Sequence, residues 1–517
     1  MAASVREYYA GKNILVTGST GFLGKVLVEK LLRCCPDVDT VYLLLRQKKG
    51  LSSEERLRDL CNNKLFDLLR GQNPDAFKKL KLVSGDILED ELGISAQDKE
   101  ELKVRCNIVF HSAACVRFDQ KLKDAVNLNT SGTLRMLKLA ETMEHLEAFV
   151  HLSTAYCRCQ LDKLEEKLYP AMHKPAKIID MVQWMDDKLL EHLEPKIIGL
   201  EPNTYSYTKA ITEDLVDEYS KKFPIAIARP SIVIAALKEP VPGWIDNLNG
   251  PTGLIIGSAK GVIRTMHCEP TYHADAVPVD CAVNGCILIG YATGLDRPTE
   301  TQIYNITLSR VINVSWGEII EMGKRWVDKY PPTVALWYPG GAIKSYWITH
   351  QICLVLFHII PAYLLDGLLF ILGRKTFMVN VQKRISHGLD VLQYYTTKEW
   401  HFVNTRYQSL RNRITKEDDE IFFTDVANLD PDEYLKNYII GAREYVCKED
   451  PSTLPRARKL HRIRYFVDLL FKLLFFYFLA SFVLSRSHIL TSAVAYLDDT
   501  FKTVYPFGHS YLTVEEL

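Results

Sequence analysis

Residues 13–24 read NILVTGSTGFLG, a run of apolar, β-favouring side chains that stops at Thr17 and gives way to glycines at 18, 21 and 24. A strand that passes straight into spaced glycines lets the backbone approach a pyrophosphate to hydrogen-bonding distance, where a side chain would hold the anion away. A helix opening near Phe22 aims its free N–H groups at that anion. Thr17, Gly18, Thr20, Gly21, Phe22, Leu23 and Gly24 are therefore the expected cradle for a dinucleotide. On either side, further apolar runs at 41–45 (VYLLL), 81–84 (KLVS), 107–111 (NIVFH) and 147–153 (EAFVHLS) alternate with helical segments at 22–33 and 119–144. Continuous apolar strands alternating with helices are the pattern of a parallel sheet covered on both faces, so the expected fold is a doubly wound α/β domain.

The second strand ends LLLRQKKG. A carboxylate there would suit a free ribose 2′-hydroxyl; Arg46, Lys48 and Lys49 suit a 2′-phosphate, which points to NADPH with Arg46 as the first contact. Asp86, after the third strand, is placed either to reach the adenine or to cap a helix.

Tyrosine and lysine four residues apart share a helix face, where the ammonium can lower the phenol's pKa and favour proton transfer to a carbonyl. Three pairs have this spacing: Tyr8/Lys12, Tyr205/Lys209 and Tyr394/Lys398. The first precedes the sheet and the last falls in a second domain. Only Tyr205/Lys209 follows a strand ending in hydroxyls, Ser153 and Thr154, one of which can donate to a developing alkoxide. Thr154 is preferred for that role over Ser153.

Lys plus Arg and Asp plus Glu both total 63, so no overall field attracts nucleic acid. The 12 cysteines lack metal or redox spacing and read as reduced and structural, and no metal site is expected. A Pro/Gly-rich stretch at 239–261 reads as a lid. The organisation expected is a reductase domain over 1–325, a helical domain over 326–455, a transmembrane anchor at 465–484 and a short tail, 485–517. The anchor carries Asp468 and Lys472 on one face, and Arg456, Arg458, Lys459, Arg462 and Arg464 before it keep its N-terminal side cytosolic. The apolar run 352–372, interrupted by Pro361, reads as a packed or membrane-touching helical pair rather than a span. Neither the terminal VEEL nor the charge balance names an organelle or an oligomeric state.

These motifs resemble the extended short-chain dehydrogenase/reductase superfamily. More closely, VTGSTGFLGKVLVEKLLR, VFHSAACVRFD, HLSTAY, YSYTKA, ARPSIV, EPVPGWIDNLNGP and YLKNYIIGAREYVCKEDPSTLPRARK are together similar to the alcohol-forming fatty acyl-CoA reductases. The resemblance implies a Rossmann fold and reduction of a long-chain or very-long-chain fatty acyl-CoA by two NADPH, through a thiohemiacetal and a retained aldehyde, with release of CoA. Hydride attacks the thioester directly in this scheme, so no nucleophilic cysteine is needed. It also implies that Asn129 braces the active-site helix, that Ala113 and Ala114 border the cofactor, and that Pro230 and Ser231 contact its nicotinamide side. A peroxisomal or endoplasmic-reticulum membrane, catalytic domain facing the cytosol, is implied in the same way. Ile234 stands where relatives more often carry glycine, and Ser112 to Cys115 replace Cys-Ala-Ala-Thr. Lys260 and Arg264 are candidate contacts for the CoA phosphates. Two other readings share these motifs: a membrane-bound dehydrogenase of a sterol or sugar nucleotide, and a non-catalytic NADPH-binding scaffold.

Overall fold

The computed structural model describes residues 4–486, apart from 310 and 312, together with 492 and 494–500. Most of the expected tail at 485–517 lies outside these residues.

Seven parallel strands form the central sheet: β1 (Asn13–Thr17), β2 (Thr40–Leu45), β3 (Leu80–Ser84), β4 (Ile108–His111), β5 (Ala148–Leu152), β6 (Ile225–Pro230) and β7 (Gln302–Ile306). Their spatial order is β7-β6-β5-β4-β1-β2-β3. The direction of winding reverses between β1 and β4, and loops leaving the carboxyl ends of such a pair diverge to opposite faces and open a crevice. Alternation of side chains accounts for the two cores. Ile14 and Val16 of β1 enter the cluster that includes Leu27 and Leu31 of the helix Phe22–Cys34, whereas Leu15 joins Val109, Phe149 and Met136 on the other face.

The remainder interlocks with this sheet. Helix Trp316–Lys329 crosses position 325/326, and Trp326 donates its indole N–H to Asp432 at 3.0 Å, joining it to the helix Pro431–Gly441. Short parallel pairs tie 163–164 to 401–402 and 265–267 to 342–344. The stretch 239–261 is not the free lid expected from its composition. It contains the helix Pro251–Ala259, buries Trp244 and Ile245, and presses Gly243 against the backbone of Asn437 and Gly441, where a Cβ on either glycine would collide.

The apolar run around Pro361 is likewise one helix, Trp347–Ile371, rather than an interrupted pair. A wide turn over Val355–Ile359 immediately precedes Pro361, so the proline, which has no N–H to give, occupies a first-turn position instead of breaking the ladder. The anchor lies within the helix Leu454–Arg486, and Asp468 pairs with Lys472 at 2.6 Å as expected. Asp468 is nevertheless buried, held also by Arg264 and by the indole of Trp337. Both helices are long and apolar enough to cross a membrane. Arg264, so engaged, is not free for CoA.

Candidate active site

The glycine loop is built by close approach. Gly18 has φ 70°, and a Cβ there would lie 2.8 Å from the amide nitrogen of Ala113; one on Gly24 would strike the Gly18 carbonyl. The loop after β1 thus lies against the loop after β4, and three contacts stitch them together. Ser112 donates its hydroxyl to the Thr17 carbonyl at 2.6 Å, the Ala113 N–H reaches the Thr17 hydroxyl at 3.2 Å, and that hydroxyl is 2.8 Å from Nδ1 of His111. Ala113 and Ala114 remain half-exposed at this crevice. Phe22 stacks on Trp244 with ring centroids 5.4 Å apart, and Leu23 packs against the core, so their side chains fix the turn from which the helix starts.

Arg46 forms an ion pair with Asp86 at 2.9 Å, and Asp86 also accepts the N–H of Leu88. Asp86 therefore orients the arginine and caps its own turn. A third participant escaped sequence reasoning: Arg56 donates to the Arg46 carbonyl and to the Thr20 hydroxyl, each at 2.6 Å. Burial lowers the Lys48 pKa, and Arg46, Arg56 and Lys49 depress it further, which marks this rim as crowded with cations.

Tyr205 occupies the first turn of the helix Thr204–Asp217, which Asn203 caps by accepting the Ser206 N–H at 2.9 Å. Thr154, just beyond the end of β5, lies close enough to its phenol to lower the phenol's pKa. The hydroxyl chosen from the sequence is thus the one that meets it, whereas Ser153 faces the buried Glu213 carboxylate, itself paired with Arg229. Lys209 is 3% exposed and donates to the Leu152 carbonyl at 2.6 Å; burial lowers its pKa to about 8. The expectation that the ammonium would depress the phenol is reversed here. Burial raises the Tyr205 pKa, and the opposing influence comes from Thr154.

Asn129 sits in a wide helical turn, Asn127–Ser131, and its amide works on both sides. It accepts the Cys115 N–H at 2.7 Å and donates to the Cys115 carbonyl and to the Thr208 hydroxyl, at 3.2 and 3.0 Å. Thr208 lies between Tyr205 and Lys209, so the amide fixes the reactive turn of the helix against the loop after β4. Pro230 accepts the Ala155 N–H with its carbonyl, and Ser231 donates its backbone N–H to the Ile306 carbonyl; both are buried, bracing the ends of β5 to β7.

The other tyrosine–lysine pairs serve other ends. Tyr8 and Lys12 both bind Glu147, at the amino ends of the strands. Tyr394 and Lys398 do pair, at 3.0 Å, but Tyr394 donates to the Cys159 carbonyl. Their segment is not remote, as its sequence position suggested. The neighbouring Tyr395 accepts from Asn203 and lies 5.3 Å from the ring of Phe118, which in turn lies 5.7 Å from Tyr205. Tyr156 and Trp400 extend this aromatic wall. The doublet Tyr394–Tyr395 was visible, but its destination was not.

A family profile described as "Male sterility protein" matches residues 16–286, and a second of the same description matches 357–449. Fatty acyl-CoA reductase 1 of Mus musculus is 42% identical over 466 residues, 89% of this chain and 90% of that protein. The chain belongs to the fatty acyl-CoA reductase family. Fatty acyl-CoA reductase 1 of Xenopus laevis is 40% identical, covering 94% of this chain and 95% of its own length, and fatty acyl-CoA reductase 2 of Mus musculus is 39% identical over 89% and 90%. Among solved structures, the reductase domain of a nonribosomal peptide synthetase from Mycobacterium tuberculosis aligns with a TM-score of 0.57 over 83% of this chain and 91% of that one, at 18% identity. The terminal R domain of the myxalamid pathway gives 0.54 over 84% and 90%, at 19%. These two structures share the fold of this chain.

Proposed function

We propose that the chain reduces a long-chain or very-long-chain fatty acyl-CoA to the primary alcohol with NADPH, releasing CoA, on the cytosolic face of a peroxisomal or endoplasmic-reticulum membrane. What supports this reading is that the helix carrying Tyr205 is tied through Asn129 to the loop after β4, the same loop that packs on the glycine cradle, with Tyr395 of the C-terminal region in the aromatic cluster beside Tyr205. The dinucleotide fits the cradle because Gly18 and Gly24 leave backbone where a Cβ would intrude. Arg46, Arg56 and Lys48 favour the 2′-phosphate, since an anion among them relieves their mutual repulsion.

When bound, the cofactor supplies hydride to the carbonyl carbon in each of two rounds. In the first, Tyr205 gives its proton to the thioester oxygen while the Thr154 hydroxyl steadies the charge that develops there; the thiohemiacetal hydroxyl then returns that proton to Tyr205 as the carbonyl re-forms and the C–S bond breaks, releasing CoA as thiolate. In the second, the same groups protonate the aldehyde oxygen and leave the alcohol. Lys209, one turn along the same helix and held by the Leu152 carbonyl, would hold the nicotinamide ribose, and Asn129 holds the helix that carries both residues. Helix 465–484, with basic residues before it, supports a single-pass anchor.

The test is stoichiometric. Purified protein given palmitoyl-CoA should consume about two NADPH per free CoA thiol, with hexadecanol as the product by gas chromatography. Turnover of sterols or nucleotide sugars in place of acyl-CoA, or NADPH binding without turnover, would exclude the assignment.

A further inference from the structure

The outward face of the helix Trp347–Ile371 is apolar and exposed from end to end, through Ile348, Ile352, Leu356, Leu364, Leu368 and Phe370, with Leu364 69% and Phe370 77% exposed. A surface of this size needs an occupant. The opposite stripe is polar and fastened. His350 lies 3.0 Å from the Thr265 hydroxyl, His358 accepts the Arg264 N–H at 2.8 Å, and Asp366 accepts the N–H groups of Phe377, Met378 and Val379. These fastenings span about 24 Å of helix axis. A helix held lengthwise to the protein body is not free to leave it as an independent span.

Its position relative to the membrane follows from Arg264. The same residue that binds His358 places its guanidinium 3.3 Å from Asp468. Asp468 marks where the helix Leu454–Arg486 leaves the protein, because every side chain from Leu469 to Ser485 is exposed. The middle of Trp347–Ile371 is thus level with the point at which the other apolar helix departs. Below that point, exposed Arg456, Lys459 and Arg462 suit anionic headgroups.

We propose that Trp347–Ile371 is a second membrane contact, lying in the plane of the leaflet that receives helix Leu454–Arg486, with its outer face embedded among lipids and its polar stripe turned to the protein. An in-plane helix has an apolar outer face along its whole length, as here. The connection that follows it leads into the helix Met378–Thr396, which delivers Tyr395 to the wall beside Tyr205. A substrate dissolved in the leaflet would therefore meet the active site from the membrane side; this consequence rests on the reductase reading, and the embedding does not.

The experiment uses the full chain in phosphatidylcholine/phosphatidylserine vesicles, with acridonylalanine replacing Ile348, Leu364 or Ile371 one at a time. Position Phe476 serves as the membrane reference and Leu200 as the aqueous one. Nitroxide lipid labelled at carbon 5 should quench all three positions to a similar depth and leave position 200 unquenched. Quenching at 476 but not at 364 overturns the proposal and means water or a second copy covers the face. Shallow quenching at 348 and 371 with deep quenching at 364, by lipid labelled at carbon 12, also overturns it, in favour of a span. A Leu364→Glu/Phe370→Glu variant adds charge only to exposed positions. It should keep its turnover in detergent and lose several-fold in vesicles carrying membrane-partitioned palmitoyl-CoA; equal turnover in both would remove the delivery role. Absence of turnover in detergent for the unaltered protein would fail the reductase reading alone, because the quenching pattern does not depend on activity.

Discussion

Replacing Asn129 with alanine isolates the joint between the catalytic helix and the loop after β4. The side chain is 1% exposed and makes three hydrogen bonds, two to the Cys115 backbone and one to the Thr208 hydroxyl. At about 1 kcal/mol net for each bond, Asn129→Ala should destabilise by about 3 kcal/mol. At an unfolding entropy of about 2 cal/mol/K per residue, that lowers the melting temperature of so large a body by roughly 3 °C, measured by differential scanning in detergent. Thr208→Val removes the 3.0 Å bond from Asn129 together with the hydroxyl's own 2.7 Å bond to the Thr204 carbonyl, and should cost about 2 kcal/mol. Because the bond is shared, the double variant should fall short of additivity by about 1 kcal/mol. Activity should suffer beyond stability: loosening the turn that carries Tyr205 lowers kcat by roughly 10- to 100-fold at a temperature where the variant is folded, with a smaller effect on KM. Full kcat in a folded Asn129→Ala protein, or strict additivity with Thr208→Val, would refute the bracing role.

The tyrosine assignment predicts contrast among three identical spacings: Tyr205→Phe should lower palmitoyl-CoA turnover by at least about 100-fold, while Tyr8→Phe and Tyr394→Phe keep it within roughly twofold. Equal losses at Tyr205 and Tyr394 would argue for a different proton donor. Arg56→Ala should raise the KM for NADPH by about 10-fold and barely change that for NADH, measured by initial rates, because a charge-assisted bond to phosphate is worth about 1.5–3 kcal/mol. Burial lowers Lys209 to about 8, so the ammonium is lost as pH rises through that value, and kcat should decline on the alkaline side with a midpoint near it. The stability contribution has the opposite slope: the folded protein binds this proton less tightly than the unfolded chain, so stability from Lys209 increases with pH between about 8 and its ordinary value of 10.5. A kcat profile flat to pH 9.5 would separate Lys209 from the chemistry.

The sheet, the glycine loop and the helix carrying Tyr205 were legible because each depends on residues close in sequence. Apolar runs specify strands, Gly18 and Gly24 satisfy a local steric demand, and a spacing of four places Tyr205 and Lys209 on one face. Thr154 was likewise identifiable from its position after β5. The lid at 239–261 was misread because its glycines and prolines signal irregular backbone but not what that backbone rests on; Gly243 is small so that Gly441 can touch it. Pro361 misled for a related reason, since a wide turn one residue earlier absorbs its missing donor.

By itself, then, the chain's sequence determined the parallel sheet, the glycine turn after its first strand, the helix that carries Tyr205 and Lys209, and two long apolar segments. Only the tertiary structure decided that Arg56 reaches Thr20, that Tyr395 of the C-terminal region stands beside Phe118, and that Asp468 is neutralised by Arg264. Those contacts join residues 36, 277 and 204 positions apart. No local period or propensity encodes such pairings; they exist because packing brings together elements far apart in the chain.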